Sequence, residues 1–338
     1  MTESTKPSQP MGIPTEVLPA IPYEEWRPTR ETLHRYLQIV GKLALARGIR
    51  RNHWWHMTLR NQPRGWSTVE LGTAQQGPLF TCEFDFFDHV LRIDTDHGGQ
   101  ALVPLTDQTV ASFYAQTQDA LHTLDIDPHI AKPYPYDLPD KERPFAEDTE
   151  HKIYVPEHAH RAFRVYSQVG RILEEFSAAF SGKVSPVQVF WHTFDIATQR
   201  YSERHIPTAE GMDEATRESY SREQISSGFW FGDPNTPEPT FYSYTYPEPK
   251  GIEEKALRPE PAHWVTARGS HTAYYSYDAA RQKDDPVGCA LAFYESAYEA
   301  GAELAGWDRK ELACWDGITD PVLSSKEPLG DRRWPERP

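Results

Sequence analysis

LFTCEFDFFDHVLRIDTDHGGQALVPL, residues 79–105, decides the fold. Apolar and polar residues alternate along it, and two clusters interrupt the alternation: Asp88-His89 and Asp96-His97-Gly98-Gly99. Alternation marks half-buried strands, and Asp, His and Gly at those places mark tight turns. The stretch therefore reads as a three-stranded antiparallel meander. Upstream, WSTVEL (66–71) and NHWWHMTLR (52–60) alternate in the same way. Before them a helix is expected after Pro28, capped by Thr29 or Thr32, with Leu33, Leu37, Val40, Leu43 and Leu45 on one stripe. Downstream, TVASFYAQTQDALHTL (109–124) reads as a helix.

The pattern then repeats. A Pro- and Asp-rich connection (127–150) leads to the helix RAFRVYSQVGRILEEFSAAF (161–180) and the strand SPVQVFWHTFDIATQRY (185–201). A polar insertion follows at 203–226, then strands at 227–233, 240–249 and 266–278, and a helix at 285–307. Short matches link the halves: VGK (40–42) with VGR (169–171), WWH (54–56) with FWH (190–192), SFYAQTQDAL (112–121) with AFYESAYEAG (292–301). The expectation is an α+β fold of two similar α-β-β-β-α halves with antiparallel sheets, produced by internal duplication. The boundaries expected are a disordered tail at 1–20, a first half at 21–126, a connection at 127–155, a second half at 156–312 and an irregular tail at 313–338.

Composition excludes several functions. The chain has 338 residues, 35 Lys+Arg against 50 Asp+Glu and a formal net charge of -15, without the basic footprint that nucleic acid requires. No run approaches the ~18 apolar residues of a membrane span. The first residues, MTESTKPSQPMGIPTE, lack a secretory pattern. Cys82, Cys289 and Cys314 are scattered and form neither a disulfide framework nor a metal knuckle, so a cytoplasmic setting is expected. Nucleotide-binding glycine motifs, a metalloprotease helix, a nucleophile elbow and an EF-hand loop are all missing, so no cofactor is expected. Oligomeric state is not legible.

Four places combine His, carboxylate and aromatic residues. In NHWWH (52–56), a strand would put His53 and Trp55 on one face, an imidazole beside an indole wall. In EFDFFDH (83–89), Asp85 stands inside an aromatic strand, where a buried carboxylate needs partners; Asp88-His89 reads as a turn. EDTEH (147–151) offers Glu150 and His151 from the connection. FWHTFD (190–195), followed by Arg200, would put Trp191 and Asp195 on one strand face.

Several blocks resemble an uncharacterised, mostly bacterial family known only as a domain of unknown function. They are IPYEEW (21–26), GK (41–42), NHWW (52–55), FDFFDH (84–89), EDTEH (147–151), GKVSPVQVFWHTFDIATQRYS (182–202), SGFW (227–230), YPEPKG (246–251) and AGWDR (305–309). The resemblance implies no activity. His53, Trp54, Trp55, Asp85, Glu150, His151, Trp191 and Asp195 follow its pattern; His56 and His192 depart from it, and Val184 stands where Cys is common.

The functional expectation is a small-molecule enzyme of unknown reaction. Its pocket would lie between the halves, with His53, Glu150, His151 and Asp195 catalytic and Trp55, Asp85, Trp191 and Arg200 holding the substrate. The alternatives are a small-molecule-binding protein without turnover and a protein-interaction module. His53, Asp85, Glu150, His151 and Asp195 would also suit a mixed nitrogen–oxygen metal site, although no spacing requires one.

Overall fold

The structure, a computed structural model, describes residues 16–320 except 74, 76, 208–210, 268, 315 and 316. Its centre is one eleven-stranded sheet rather than two smaller ones. The first five strands are β1 (Leu59–Gln62), β2 (Gly65–Thr68), β3 (Phe80–Asp85), β4 (Val90–Thr95) and β5 (Gln100–Pro104). The other six are β6 (Gln188–Phe190), β7 (Asp195–His205), β8 (Arg222–Trp230), β9 (Thr240–Tyr246), β10 (His263–Ala267) and β11 (Ser270–Ser276). The order is β10-β11-β9-β8-β7-β6-β1-β2-β3-β4-β5, and every neighbouring pair is antiparallel. The strands thus run outward from β1 and β6, the first set as a strict meander and the second as a meander except that β11 lies between β9 and β10; β1 and β6 meet through one registered pair, Leu59 with Val189. The halves hold five and six strands instead of three each: the five of the first stand where alternation put them, while in the second the 185–201 stretch splits into β6 and β7 and the last stretch into β10 and β11.

Alternation assigns the two faces. Leu59, Trp66, Phe84, Leu91, Val103, Val189, Ile196, Phe229, Phe241 and Tyr275 share one face through the registers and are buried. The long helices pack on that face: α1 (Tyr23–Arg47), α2 (Val110–Thr123), α3 (Pro156–Ala178) and α6 (Pro286–Leu304). Two short helices, α4 (Glu214–Ser219) and α5 (Tyr277–Arg281), complete the set. The opposite face carries Arg60, Ser67, Glu83, Asp85 and Arg92 in the first meander. In the second it carries Gln188, Asp195, Gln199, Tyr201, Ser226, Tyr242 and Tyr244.

Local physics corrects several expectations. Helix α1 begins at Tyr23 and takes Pro28 inside it, so neither Thr29 nor Thr32 caps it. Thr29 instead accepts a hydrogen bond from the Val155 amide at 3.0 Å. The segment 52–58 is not strand: Asn52–Trp54 is a 3₁₀ turn, with φ of 53° at His53 and 60° at Trp54. The segment 191–194 is the β6–β7 turn, closed with Phe194 at φ 55°. WWH therefore leads into its strand while FWH leaves its own, and that match does not join equivalent positions.

Residues 1–15 and 321–338 of the expected tails lie outside the described residues. Residues 16–20 dock. Leu18 is buried and its amide donates to Gln168 Oε1 at 2.7 Å, while the Tyr277 hydroxyl donates to the Pro19 carbonyl at 2.9 Å. Near the other end, Phe180 bridges to Ala313 and the Cys314 amide donates to the Ala179 carbonyl at 3.0 Å, so 313–314 are anchored as well. Leu18→Ala is expected to cost about 2–4 kcal/mol, the usual loss for a buried leucine, measured by urea unfolding. A loss under about 0.5 kcal/mol, the scale of a surface change, would show that the docking is superficial.

Candidate functional site

The eight expected site residues fall into separate places. Asp85, the last residue of β3, caps the following turn: its Oδ1 accepts from the amides of Phe87 at 2.9 Å and Asp88 at 3.0 Å, and Arg64 binds both oxygens. Burial pushes its carboxyl up, but those bonds outweigh burial and hold the pKa below the usual value. These bonds hold the turn that joins β3 to β4.

Glu150 is exposed and pairs with Arg143 at 2.9 Å. His151 Nδ1 lies 2.8 Å from Asp148 Oδ2. Asp140, Asp148 and His151 bring possible ligand atoms within 4.8 Å of one another. Arg35, buried on α1, already takes up their charge, at 2.6 Å from Asp140 and 3.4 Å from Asp148. The cluster fastens the 127–155 connection to α1. Gln38 does the same work one turn further on, donating to the Tyr136 carbonyl at 3.1 Å.

Trp191 packs on α1 at Gly41, where an added Cβ would lie 2.1 Å from the root of its ring. Its carbonyl faces His34 Nε2 at 3.0 Å. Arg200 lies on the helix face of β7, not beside Asp195, because residues five apart on a strand point to opposite sides. Its guanidinium sits 3.5 Å from the Phe176 ring centroid and 4.3 Å from that of Tyr298, bonds the Phe176 carbonyl and reaches Glu295 at 3.6 Å. It ties α3 and α6 to the sheet.

Among the described residues Asp195 has no cationic partner. The hydroxyls of Thr193 and Tyr242 donate to its two oxygens. Burial holds its carboxyl above the usual range against those bonds, and also raises Tyr242. The Tyr242 ring stacks beside Tyr244, whose hydroxyl meets that of Tyr220 at 3.1 Å.

His53 occupies the far end of the same sheet face. Its amide donates to Glu218 Oε1 at 2.9 Å, and its Nδ1 faces the carbonyls of Glu218 and Ser219 at 3.2 and 3.3 Å. Two carbonyls fix the proton on Nδ1, which leaves the Nε2 lone pair free. Lys183 Nζ lies 2.9 Å from that Nε2. The imidazole stacks on Tyr201 at 4.6 Å, and the ammonium sits 5.0 Å from the Tyr201 ring centroid and 5.6 Å from that of half-buried Trp55. Burial, then the charge of Lys183, depresses the His53 pKa; burial depresses that of Lys183. His53 and Trp55 come from the first meander's approach, Lys183, Tyr201 and Glu218 from the second. Positive φ at two consecutive non-glycine residues costs about 1–3 kcal/mol each, and the contacts of 53–55 hold that strain in place.

His53 and Trp55 are thus brought together, and Asp195 is not: it lies six positions along β7 from Tyr201, about 20 Å at ~3.3 Å per residue. Two surface clefts, of ≈ 620 and ≈ 430 Å³, take in none of the eight residues. The pattern missed Lys183, Glu218, Tyr201 and Tyr242. Lys183 was visible only as one residue of the GKVSPVQVFWHTFD block, and Tyr242 as one of four alternating aromatics in TFYSYTY (240–246).

Among the described residues no helix is long and apolar enough to cross a membrane. No curated protein and no solved structure matches the chain. Across residues 18–314 the sequence fits one family model, and by that match the chain belongs to DUF5996, a family of unknown function.

Proposed function

We propose that the protein is an enzyme acting on a small organic molecule, with His53 and Lys183 as its proton-transfer pair at the junction of the two meanders. The observation that carries this reading is the 2.9 Å contact between Lys183 Nζ and His53 Nε2 beside Trp55. A neutral imidazole fixed in one tautomer and a partly desolvated lysine share one mobile proton. A substrate lying on Trp55 can receive that proton from the ammonium, or give one to the amine with His53 as relay. Asp195, held toward its neutral form between two hydroxyls, would serve the same face as a hydrogen-bond donor rather than as a partner of His53. Glu150 and His151 have no place in this chemistry. The outward running of both meanders from β1 and β6 supports descent of the halves from one duplicated unit.

The test is competitive acetylation of lysines against pH, read by peptide mass spectrometry. Lys183 is expected to titrate below the ordinary lysine value, near 10.4. Lys183→Met should raise the pKa of His53, seen by NMR, because the neighbouring cation is gone. An ordinary lysine titration, or a His53 pKa indifferent to Lys183→Met, would refute the pair. Binding without turnover is the second reading, favoured because no carboxylate of the described residues bonds the imidazole; it predicts the same titrations and no catalysis of substrate proton exchange.

A further inference from the structure

Tyr23, Trp26 and Arg30 occupy positions i, i+3 and i+7 of α1, one face of the helix. Their exposures are 3%, 1% and 7%. The Tyr23 hydroxyl, the Trp26 indole Nε1 and the Arg30 Nε have no hydrogen-bond partner among the described residues. Arg30 forms no hydrogen bond or ion pair with any described residue; its guanidinium only faces rings, 5.7 Å from the centroids of both Tyr23 and Phe194. Trp26 packs edge-on against the same Phe194 at 6.1 Å and against Phe231 at 4.6 Å.

Three polar groups without a hydrogen-bond partner therefore lie on one helix face in aromatic surroundings, an arrangement costly for folding alone. The contrast with Arg200 is direct, since that buried guanidinium has a carbonyl and Glu295. Asp233 is near enough to act on Arg30 electrostatically, yet it makes no ion pair with it, and its Oδ1 accepts from the amides of Asn235 at 2.7 Å and Thr236 at 2.9 Å. Tyr23 also lines the ≈ 620 Å³ surface cleft, together with Glu24, Thr236, Glu238 and Asp278. The cleft thus carries acids in its lining and borders, at Tyr23, the helix face that holds the Arg30 guanidinium.

We propose that this cleft binds a small zwitterion, its carboxylate received by Arg30 and Tyr23 and its cationic group facing Glu24, Glu238 and Asp278. A planar carboxylate matches the guanidinium fork. The acids of the lining select against a second negative charge, and so against a phosphate dianion. Each acid has a partner of its own: Glu24 bonds Arg27 at 3.1 Å, Asp278 bonds Arg281, and Glu238 accepts from Ser276. The Glu24 and Asp278 pairs are solvent-exposed ion pairs, of the kind worth about 0–1 kcal/mol and easily exchanged.

The experiment titrates the full chain with the common amino acids, 4-aminobutyrate, acetate and inorganic phosphate, following melting temperature and binding heat. At least one zwitterion should bind and raise the melting temperature, more strongly than acetate or phosphate. Arg30→Met should abolish that response and leave the ligand-free protein as stable as the parent or more so, because an unpaired buried charge is gone. Tyr23→Phe removes only an unpartnered hydroxyl; it should keep the fold and weaken binding about tenfold. No response to any zwitterion, an equal response to acetate or phosphate, or undiminished binding by Tyr23→Phe would each overturn the proposal. A large loss of ligand-free stability in Arg30→Met would do so too, by making Arg30 a structural cation.

Discussion

Replacing Gly41 by alanine is expected to destabilise the protein by about 3–5 kcal/mol, as much as deleting a buried aromatic side chain. The added Cβ would lie 2.1 Å from Trp191 Cγ, 2.3 Å from Cδ1 and 2.4 Å from Cδ2. These atoms are the root of the ring, which cannot swing clear as a flexible chain end does. Trp191 is buried, so either its ring leaves its seat or α1 lifts from the β6–β7 turn. Alanine is intrinsically the better helix former by about 1 kcal/mol, which makes the sign of the result diagnostic. Denaturant unfolding measures it; a neutral or stabilised variant would mean that Trp191 does not pack against α1 as described.

Acid should destabilise the fold well above the carboxylate range. His34 is buried, and burial, followed by the charges of Arg30 and Arg35, holds its pKa well below normal. Burial also pushes His192 down to about 4. In the unfolded chain both titrate near ~6.5. Between that value and about 4, the unfolded state takes up protons that the folded state refuses, so stability falls as pH falls. Each such histidine contributes up to ~1.4 kcal/mol per pH unit in that window. Asp195 acts in the opposite sense, since its raised pKa lets the folded state bind a proton first, and it offsets part of the loss. Urea unfolding between about pH 7.5 and about pH 4.5 should show a decline beginning near pH ~6.5, shallower in His192→Gln. A flat profile to about pH 5 would defeat this account.

Much of the fold was legible in the alternation and the helical stripes. The 79–105 meander, its two turns, and the helices near 109–124, 161–180 and 285–307 stand where periodicity put them. What misled was alternation without extended backbone. NHWWHMTLR and FWHTFD both alternate, yet the first holds positive φ at His53 and Trp54 and the second is a turn closed by Phe194. Side-chain order does not report φ, so the faces inferred for Trp55 and Trp191 did not follow. The partners of Asp195 are two hydroxyls, from the turn before it and from a strand 47 residues on, which no local pattern marks. Lys183 escaped notice because one lysine in a Gly-Lys loop carries no periodic signal; only the return of the chain from α3 sets it against His53.

The single registered pair between β1 and β6 gives the sheet a seam. Elsewhere the strands are bound by runs of several pairs, so the angle between the two wings is cheapest to change along this line. Helix α3 touches β1 on one wing and β7 and β8 on the other, and acts as a splint across it. His53 approaches from the β1 side yet is tied to Glu218 and Ser219 of the other wing, and Trp54 beside it to Ala215. The 52–54 turn therefore works as a second clasp across the seam, fastening the start of one wing to a helix of the other.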